Sequence, residues 1–131
     1  THPRTRRRMI EMGIAETRAD VRFLDPFSFS DFVALERSAF CVLSDSGTVQ
    51  EECCLLRVRN VTLRDVTERP ETVDCGSNIL AGAGSSDILR CVRAAVLREN
   101  NWNIPGEYLR TNVAEAVRNI VLGYRVAADN R

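Results

Sequence analysis

The chain is expected to fold as an α/β domain, a parallel sheet layered between helices, and three observations lead there. Short apolar or β-branched runs recur at residues 21–24, 40–43, 60–63 and 77–81. Between them lie segments of helical composition, and the clearest, 87–99, carries Ile88, Leu89, Val92, Ala95 and Val96 as one apolar stripe of helical period. Two of the runs end in turn or polar residues, Ser44-Asp45-Ser46-Gly47 and Arg64-Asp65, that lead into the next helix. Strands alternating with helices at these spacings form βαβ units, which return to a parallel sheet and place helices in three-layer order.

Taken in order, residues 3–12 carry arginine at 4, 6, 7 and 8 and suit a helix with Pro3 in its first turn and Gly13 at its close. Four arginines could meet nucleic acid. On a neutral chain without interleaved aromatics they read instead as a solvated helix face. Residues 21–24 read as a strand stopped by Asp25-Pro26, and Ser30 or Asp31 is placed to cap a helix over 32–37. A strand over 40–43 leads into a helix from Gly47 to about Arg57, and the β-branched run 60–63 is the third strand. Pro70 opens a short helix closed by Gly76; the strand 77–81, a Gly82-Ala83-Gly84 loop and the helix 87–99 follow. Residues 100–107 are a turn-rich connection. The last helix, 113–123, has Val113, Val117, Ile120 and Val121 on one face, with Asn112 and Glu115 in a capping pattern. The domain is expected over 1–124, with 125–131 a frayed tail.

Composition bounds the chemistry. At 131 residues and 44% hydrophobic, the chain can bury one core and is too short for two. Its 18 basic and 18 acidic residues cancel, which argues against a dominant nucleic-acid or membrane-surface role. Every basic residue is arginine, so Schiff-base and P-loop lysine chemistry is excluded. Cys41, Cys53, Cys54, Cys75 and Cys91 are odd in number and lack C-x-x-C spacing, which reads as free thiols of a reducing compartment. A single histidine without ligand spacing gives no metal site, and no cofactor is expected. No apolar run approaches the roughly 20 residues needed to span a bilayer, and no signal-peptide core is present, so the chain reads as cytoplasmic.

Two motifs concentrate the binding chemistry. In the strand, turn and helix over 40–57, Gly47 lets the backbone approach a ligand, and the first N–H groups of the helix form an anion site. Ser46 could equally be a plain helix cap. The second motif, Thr67-Glu68-Arg69-Pro70-Glu71, puts an arginine just past the end of the next strand, where its guanidinium could meet a ligand or pair with Glu68 or Glu71. In a parallel sheet both turns open onto one crevice at the carboxyl ends of the strands.

The pair DSGTVQEE and RDVTERPE, with the opening THPRT and the later CGSN, resembles the C-terminal half of the non-hydrolysing UDP-N-acetylglucosamine 2-epimerases. The resemblance runs from Thr1 to about Tyr124. It implies most of the second Rossmann-like domain of a two-domain, glycosyltransferase-B-like fold, incomplete at its N-terminus, where Thr1-His2-Pro3-Arg4 reads as the exit of a strand. It implies that Ser46 and Gly47 hold the pyrophosphate of UDP. Thr48 stands where the family has a second glycine; its β-carbon narrows the turn, and the S-G-T form occurs in relatives acting on deoxygenated N-acetyl sugars of the L-fucosamine type. By the same resemblance Glu52 accepts the ribose hydroxyls, a task suited to a carboxylate with two acceptor oxygens. Glu51 beside it is expected to face solvent or a basic neighbour. Arg69 becomes the partner of the diphosphate. Phe27 and Phe32 lie where the family contacts uracil, with Phe32 equally placed to anchor its own helix. His2 is given no catalytic role.

The family's reaction expels UDP from C1 with loss of the C2 proton and then re-adds it with inversion at C2. The resemblance puts the proton-moving acids on the first domain, so no catalytic residue is expected in this chain, which would clamp the leaving group and be inactive alone. The implied partners are a UDP-sugar, the N-terminal domain and a second copy in a homodimer. Rival readings are an epimerase for a UDP-2-acetamido-2,6-dideoxy hexose, the donor domain of a glycosyltransferase, and a non-catalytic nucleotide-sensing module. One departure is structural: Leu56-Arg57-Val58-Arg59 stands where relatives have a glycine after the leucine, so Arg57 is expected either to be strained in a left-handed conformation or to end the helix differently.

Overall fold

A computed structural model describes residues 1–14 and 20–124; the tail expected at 125–131 lies outside the described residues. The chain divides into two compact units, Thr1–Ser38 and Ala39–Arg131.

In the first unit, His2 caps α1 (Pro3–Glu11): its Nδ1 accepts the Arg4 N–H at 3.1 Å, and Pro3 takes the first helical position. Only Met9 of this helix is buried. Its arginines pair along the surface, Arg7 and Arg8 with Glu11 at 3.0 and 3.3 Å and Arg6 with Asp25 at 2.8 Å. Exposed pairs of this kind add little stability and mark a solvated face. The strand expected at 21–24 does not form, and residues 21–28 carry no regular secondary structure. An apolar run becomes a strand only if a neighbouring strand takes up its backbone groups, and no other strand is found among the described residues of this unit. Helix α2 (Phe29–Ser38) starts earlier than expected because Ser28, rather than Ser30 or Asp31, caps it. Ser28 Oγ accepts the Asp31 N–H at 3.3 Å and donates to Asp31 Oδ2 at 2.6 Å.

The second unit runs β1 (Val42–Ser44), α3 (Gly47–Leu56), β2 (Asn60–Thr62), α4 (Pro70–Asp74), β3 (Asn78–Leu80), α5 (Ser85–Val96), a short 3-10 turn (Gly106–Leu109) and α6 (Val113–Gly123). Its three strands are parallel in the order β1-β2-β3, with Val42, Asn60 and Asn78 level at one end and Ser44, Thr62 and Leu80 level at the other. Side chains alternate along a strand, so Asn60 and Thr62 face one way and Val61 the other. On the Val61 side, Ala81 and the α5 residues Cys91 and Ala95 close an apolar core flanked by Cys41, Ile79, Ile88 and Val92. Full burial of a valine such as Val61 contributes about 1.5–3 kcal/mol. On the other side α3 and α4 cover the sheet, with Val49, Cys53 and Val58 packed against Ala39, Val42 and Leu56. Here Gln50, Asn60, Thr62, Thr72 and Asn78 are buried as well. These layers are the α/β arrangement expected from the alternation of elements.

Helix α3 ends as its departure from the family pattern required. Arg57 is left-handed at φ 55° and ψ 43°, and it is held there: its guanidinium donates to the Trp102 carbonyl at 2.7 Å, while Trp102 Nε1 donates to the Cys54 carbonyl at 3.0 Å. Trp102, from the turn-rich connection, thus satisfies a carbonyl of the last turn. Asn112 does not cap α6 with its side chain, because φ −103° and ψ 29° leave the extended conformation that a cap bond requires. The apolar residues of α6, Val113, Val117, Ile120 and Val121, are each more than half exposed. Among the described residues no helix is long and apolar enough to cross a membrane.

Candidate functional site

Because the strands are parallel and level, the loops that leave Ser44, Thr62 and Leu80 emerge at one edge of the sheet. The third loop is packed onto the second: the Gly82 N–H donates to the Arg64 carbonyl at 3.1 Å, and at φ +66° a β-carbon on Gly82 would lie 2.8 Å from Asp65 Oδ1. The left-handed backbone at Gly82 favours glycine there, since a β-carbon would be strained and would also push the Asp65 carboxylate aside.

Ser46 occupies the N-cap position of α3 in extended geometry, yet its side chain makes no bond to the helix. Its own N–H is taken by Ser44 Oγ at 3.1 Å. The plain helix-cap reading of Ser46 is therefore not what the structure holds, and the first N–H groups of α3 keep their capacity for an anion. Above them sits Arg69. A β-carbon on Gly47 would lie 4.0 Å from Arg69 Cζ, so the guanidinium reaches over the glycine turn. Arg69 Nε donates to Glu51 Oε1, and Nη1 donates to the Glu68 carbonyl at 3.1 Å. Its carboxylate partner is thus Glu51, neither Glu68 nor Glu71. Glu51 meets the basic neighbour expected of it, and the hydrogen bond from Arg69 to Glu51 strengthens the hold on the arginine's charge.

Glu52, half-buried on the same helix, makes no hydrogen bond among the described residues. Burial pushes its pKa up, and the like charge of Glu51 adds to that. Glu71, in the first turn of α4, is the opposite case. Tyr108 Oη donates to Glu71 Oε1 at 2.5 Å and holds that carboxyl below its usual range, while burial and then Glu71 raise the tyrosine hydroxyl. Thr48 is exposed.

Beneath the turn lies a set of buried amides and hydroxyls. Gln50 Oε1 accepts from Thr67 Oγ1 at 2.7 Å and from Asn78 Nδ2 at 3.1 Å, and Gln50 Nε2 donates to the Ser46 carbonyl at 3.4 Å. Thr67 Oγ1 also accepts the Arg69 N–H at 3.0 Å, and Thr72 Oγ1 donates to the Arg69 carbonyl at 2.7 Å. Asn78 Nδ2 reaches Thr72 Oγ1 at 3.3 Å, and Thr62 Oγ1 donates to Asn78 Oδ1 at 2.8 Å. Sequence reasoning missed these residues and Tyr108. The available signal was an amide or hydroxyl at strand positions, Asn60, Thr62 and Asn78, where an apolar residue is the default.

The structure thus brings Ser46, Gly47 and Arg69 together, with Thr48 and Glu52 on the helix that Ser46 and Gly47 begin. Phe27 and Phe32 belong to the first unit, 44% and 39% exposed, where they line an open recess with Thr1, His2 and Pro26. A small cavity of about 10 Å³ between Asn60, Ser77, Arg98 and Trp102 lies at the opposite, incoming end of the strands and takes no part in the crevice.

A family profile described as UDP-N-acetylglucosamine 2-epimerase matches residues 1–122. The chain is 40% identical over 125 residues to a UDP-N-acetylglucosamine 2-epimerase of Methanococcus maripaludis, covering 93% of this chain and 34% of the relative. It is 36% identical over 95 residues to a UDP-2,3-diacetamido-2,3-dideoxy-D-glucuronate 2-epimerase of Pseudomonas aeruginosa, covering 72% of this chain and 26% of that relative. Among solved structures, the Methanocaldococcus jannaschii UDP-GlcNAc 2-epimerase in complex with UDP-GlcNAc and UDP superposes with a TM-score of 0.84 at 35% identity, over 94% of this chain and 34% of that one. The chain spans about a third of the length of the relatives it matches.

Proposed function

The chain belongs to the UDP-N-acetylglucosamine 2-epimerase family, and from that premise we propose that residues 1–124 form the nucleotide-holding domain of an enzyme that epimerises a UDP-2-acetamido sugar at C2. The observation that carries the reading is the Arg69 guanidinium poised over Gly47 at a helix start whose cap side chain is uncommitted. A diphosphate placed there meets three kinds of donor: the α3 N–H groups, the Ser46 hydroxyl and the planar fork of Arg69. Glu51 and the Glu68 carbonyl engage only part of that fork, so donors remain for phosphate oxygens.

Glu52 takes the ribose hydroxyls. When the sugar C1–O bond breaks and the C2 proton is lost, negative charge gathers on the departing β-phosphate, and the fixed donors around Ser46 and Arg69 stabilise it. When UDP re-adds at C1 and a proton returns to the opposite face of C2, the same clamp holds the diphosphate. The groups that move the proton belong to the partnering N-terminal domain, so this chain alone is inactive, and the working enzyme is a homodimer. A second sugar is raised by one residue: exposed Thr48, where the family turn has a glycine, keeps a UDP-2-acetamido-2,6-dideoxy hexose as the alternative to UDP-N-acetylglucosamine.

The test is a UDP titration of this chain followed by its amide resonances. Shifts centred on Ser46 to Glu52 and on Arg69 are expected, and a dispersed spectrum indifferent to UDP would overturn the reading. Interconversion of UDP-GlcNAc and UDP-ManNAc by the whole enzyme without any acceptor is expected too; transfer of the sugar to an acceptor would replace the epimerase with a glycosyltransferase.

A further inference from the structure

We infer that Gln50 is a positioning residue, which sets the distance between the Ser46 turn and the Arg69 guanidinium so that both meet one diphosphate. The inference deepens the nucleotide reading above and rests on it.

Gln50 is completely buried, an unusual place for a long polar side chain, and it is satisfied at both ends. Its Nε2 holds the Ser46 carbonyl, in the turn that receives the phosphate; its Oε1 holds Thr67 and Asn78. From there the bonds converge on one backbone unit. Thr67 Oγ1 accepts the Arg69 N–H, and Thr72 Oγ1, itself fixed by Asn78, donates to the Arg69 carbonyl. Both main-chain groups of Arg69 are therefore tied to side chains that meet at Gln50 or Asn78. That clamp is needed, because Arg69 adopts φ −125° and ψ 57°, outside both helix and strand, just before a proline. Among the described residues, no bond to the arginine side chain fixes this turn in relation to α3 other than the pair with Glu51, and a pair a third exposed at each end is a weak constraint. One amide, by contrast, links the two motifs through the interior, where hydrogen bonds are stiff and costly to leave unmade.

A structural role alone would change stability. A positioning role must in addition act through the Arg69 side chain, and a double-mutant cycle separates the two. UDP affinity is measured by calorimetry on the whole protein that carries this chain, as wild type, Gln50→Leu, Arg69→Ala and the double variant. Gln50→Leu is expected to weaken UDP about tenfold in the wild-type background and less than about twofold when Arg69 is already alanine. Gln50→Glu, which keeps the acceptor for Thr67 and Asn78 but loses the donor to the Ser46 carbonyl, should weaken UDP as Gln50→Leu does, and wild-type affinity in it would overturn the inference. Thr67→Val against Thr67→Ser runs the same cycle with a partly exposed residue, should Gln50→Leu fail to fold. Equal losses in both backgrounds, or no loss in either while Arg69→Ala still weakens UDP, would overturn the inference and leave the nucleotide reading standing. If Arg69→Ala itself leaves UDP affinity unchanged, the nucleotide reading falls and the inference falls with it.

Discussion

The two faces of the small sheet are built from opposite materials. Behind Val61 the core is apolar throughout, closed by Ala81, Cys91 and Ala95. Behind Thr62 a lattice of amides and hydroxyls is buried beside the smaller apolar cluster of Val49, Cys53 and Val58, and most of the largest fully buried side chains of the unit are polar. An apolar core holds elements together without regard to direction; hydrogen bonds fix distances and angles. The polar face lies under the two motif turns, and the apolar face carries α5. The difference separates the part of the domain that only has to be stable from the part that has to hold Ser46 and Arg69 in register.

The sharpest way to break that division is to remove one hydroxyl from the polar face. Thr72→Val keeps shape, strips the Arg69 carbonyl of its hydroxyl donor while the Thr72 N–H still reaches it at 3.1 Å, and leaves one N–H of the Asn78 amide without a partner, at about 1–3 kcal/mol for a buried group so orphaned. We expect a stability loss of about 3 kcal/mol by denaturant unfolding, together with weaker UDP binding. Stability loss with unchanged affinity would make the polar face an ordinary core. Next in size, Val61→Ala removes two carbons from the apolar face and should cost about 2 kcal/mol. UDP affinity should not move. A drop in affinity there would show that the two faces are not independent.

Smaller still are the effects of two carboxylates, Glu52 and Glu71. Glu52 has its pKa raised, so the folded chain favours its neutral form: that stabilisation is present below the unfolded pKa and is lost as pH rises through the folded one. Glu71 has its pKa lowered by Tyr108, so its contribution is present above the unfolded pKa and is lost as pH falls through the folded one. Melting curves against pH should therefore show Glu52→Gln more stable than wild type near neutrality and Glu71→Gln less stable, with both differences shrinking in acid. Glu52→Gln should meanwhile weaken UDP about tenfold. A destabilised Glu52→Gln that binds UDP normally would assign Glu52 to the scaffold.

Much of this arrangement was legible in the chain. Pro70 and Gly76 bracket α4, the stripe from Ile88 to Val96 marks α5, and the Ser46-Gly47 and Arg69 motifs meet where parallel strands must deliver them. What periodicity cannot supply is a partner. The run at 21–24 has the composition of a strand and no strand beside it among the described residues of its unit, and Asn112 with Glu115 has the pattern of a cap without the backbone angles. The polar face was hidden for a related reason. Whether Gln50, Thr67 or Thr72 faces solvent or interior depends on how three loops are packed, and local sequence carries no record of that.

Arg57 offers the finest division between backbone and side chain. It sits in the left-handed region at φ 55°, which costs a residue with a β-carbon about 1–2 kcal/mol relative to glycine. Its guanidinium offsets part of that by donating to Trp102, whose indole in turn ties down the end of α3. Arg57→Ala and Arg57→Gly both delete the guanidinium, and only the second relieves the backbone. Glycine should therefore unfold about 1 kcal/mol above alanine, whatever the bond to Trp102 contributes. Because α3 carries Ser46 at its other end, UDP affinity should be the same in both variants. If it instead followed the stability difference, strain at the helix exit would be reaching the phosphate turn through the length of α3, and the polar face would not be the only element that sets its position.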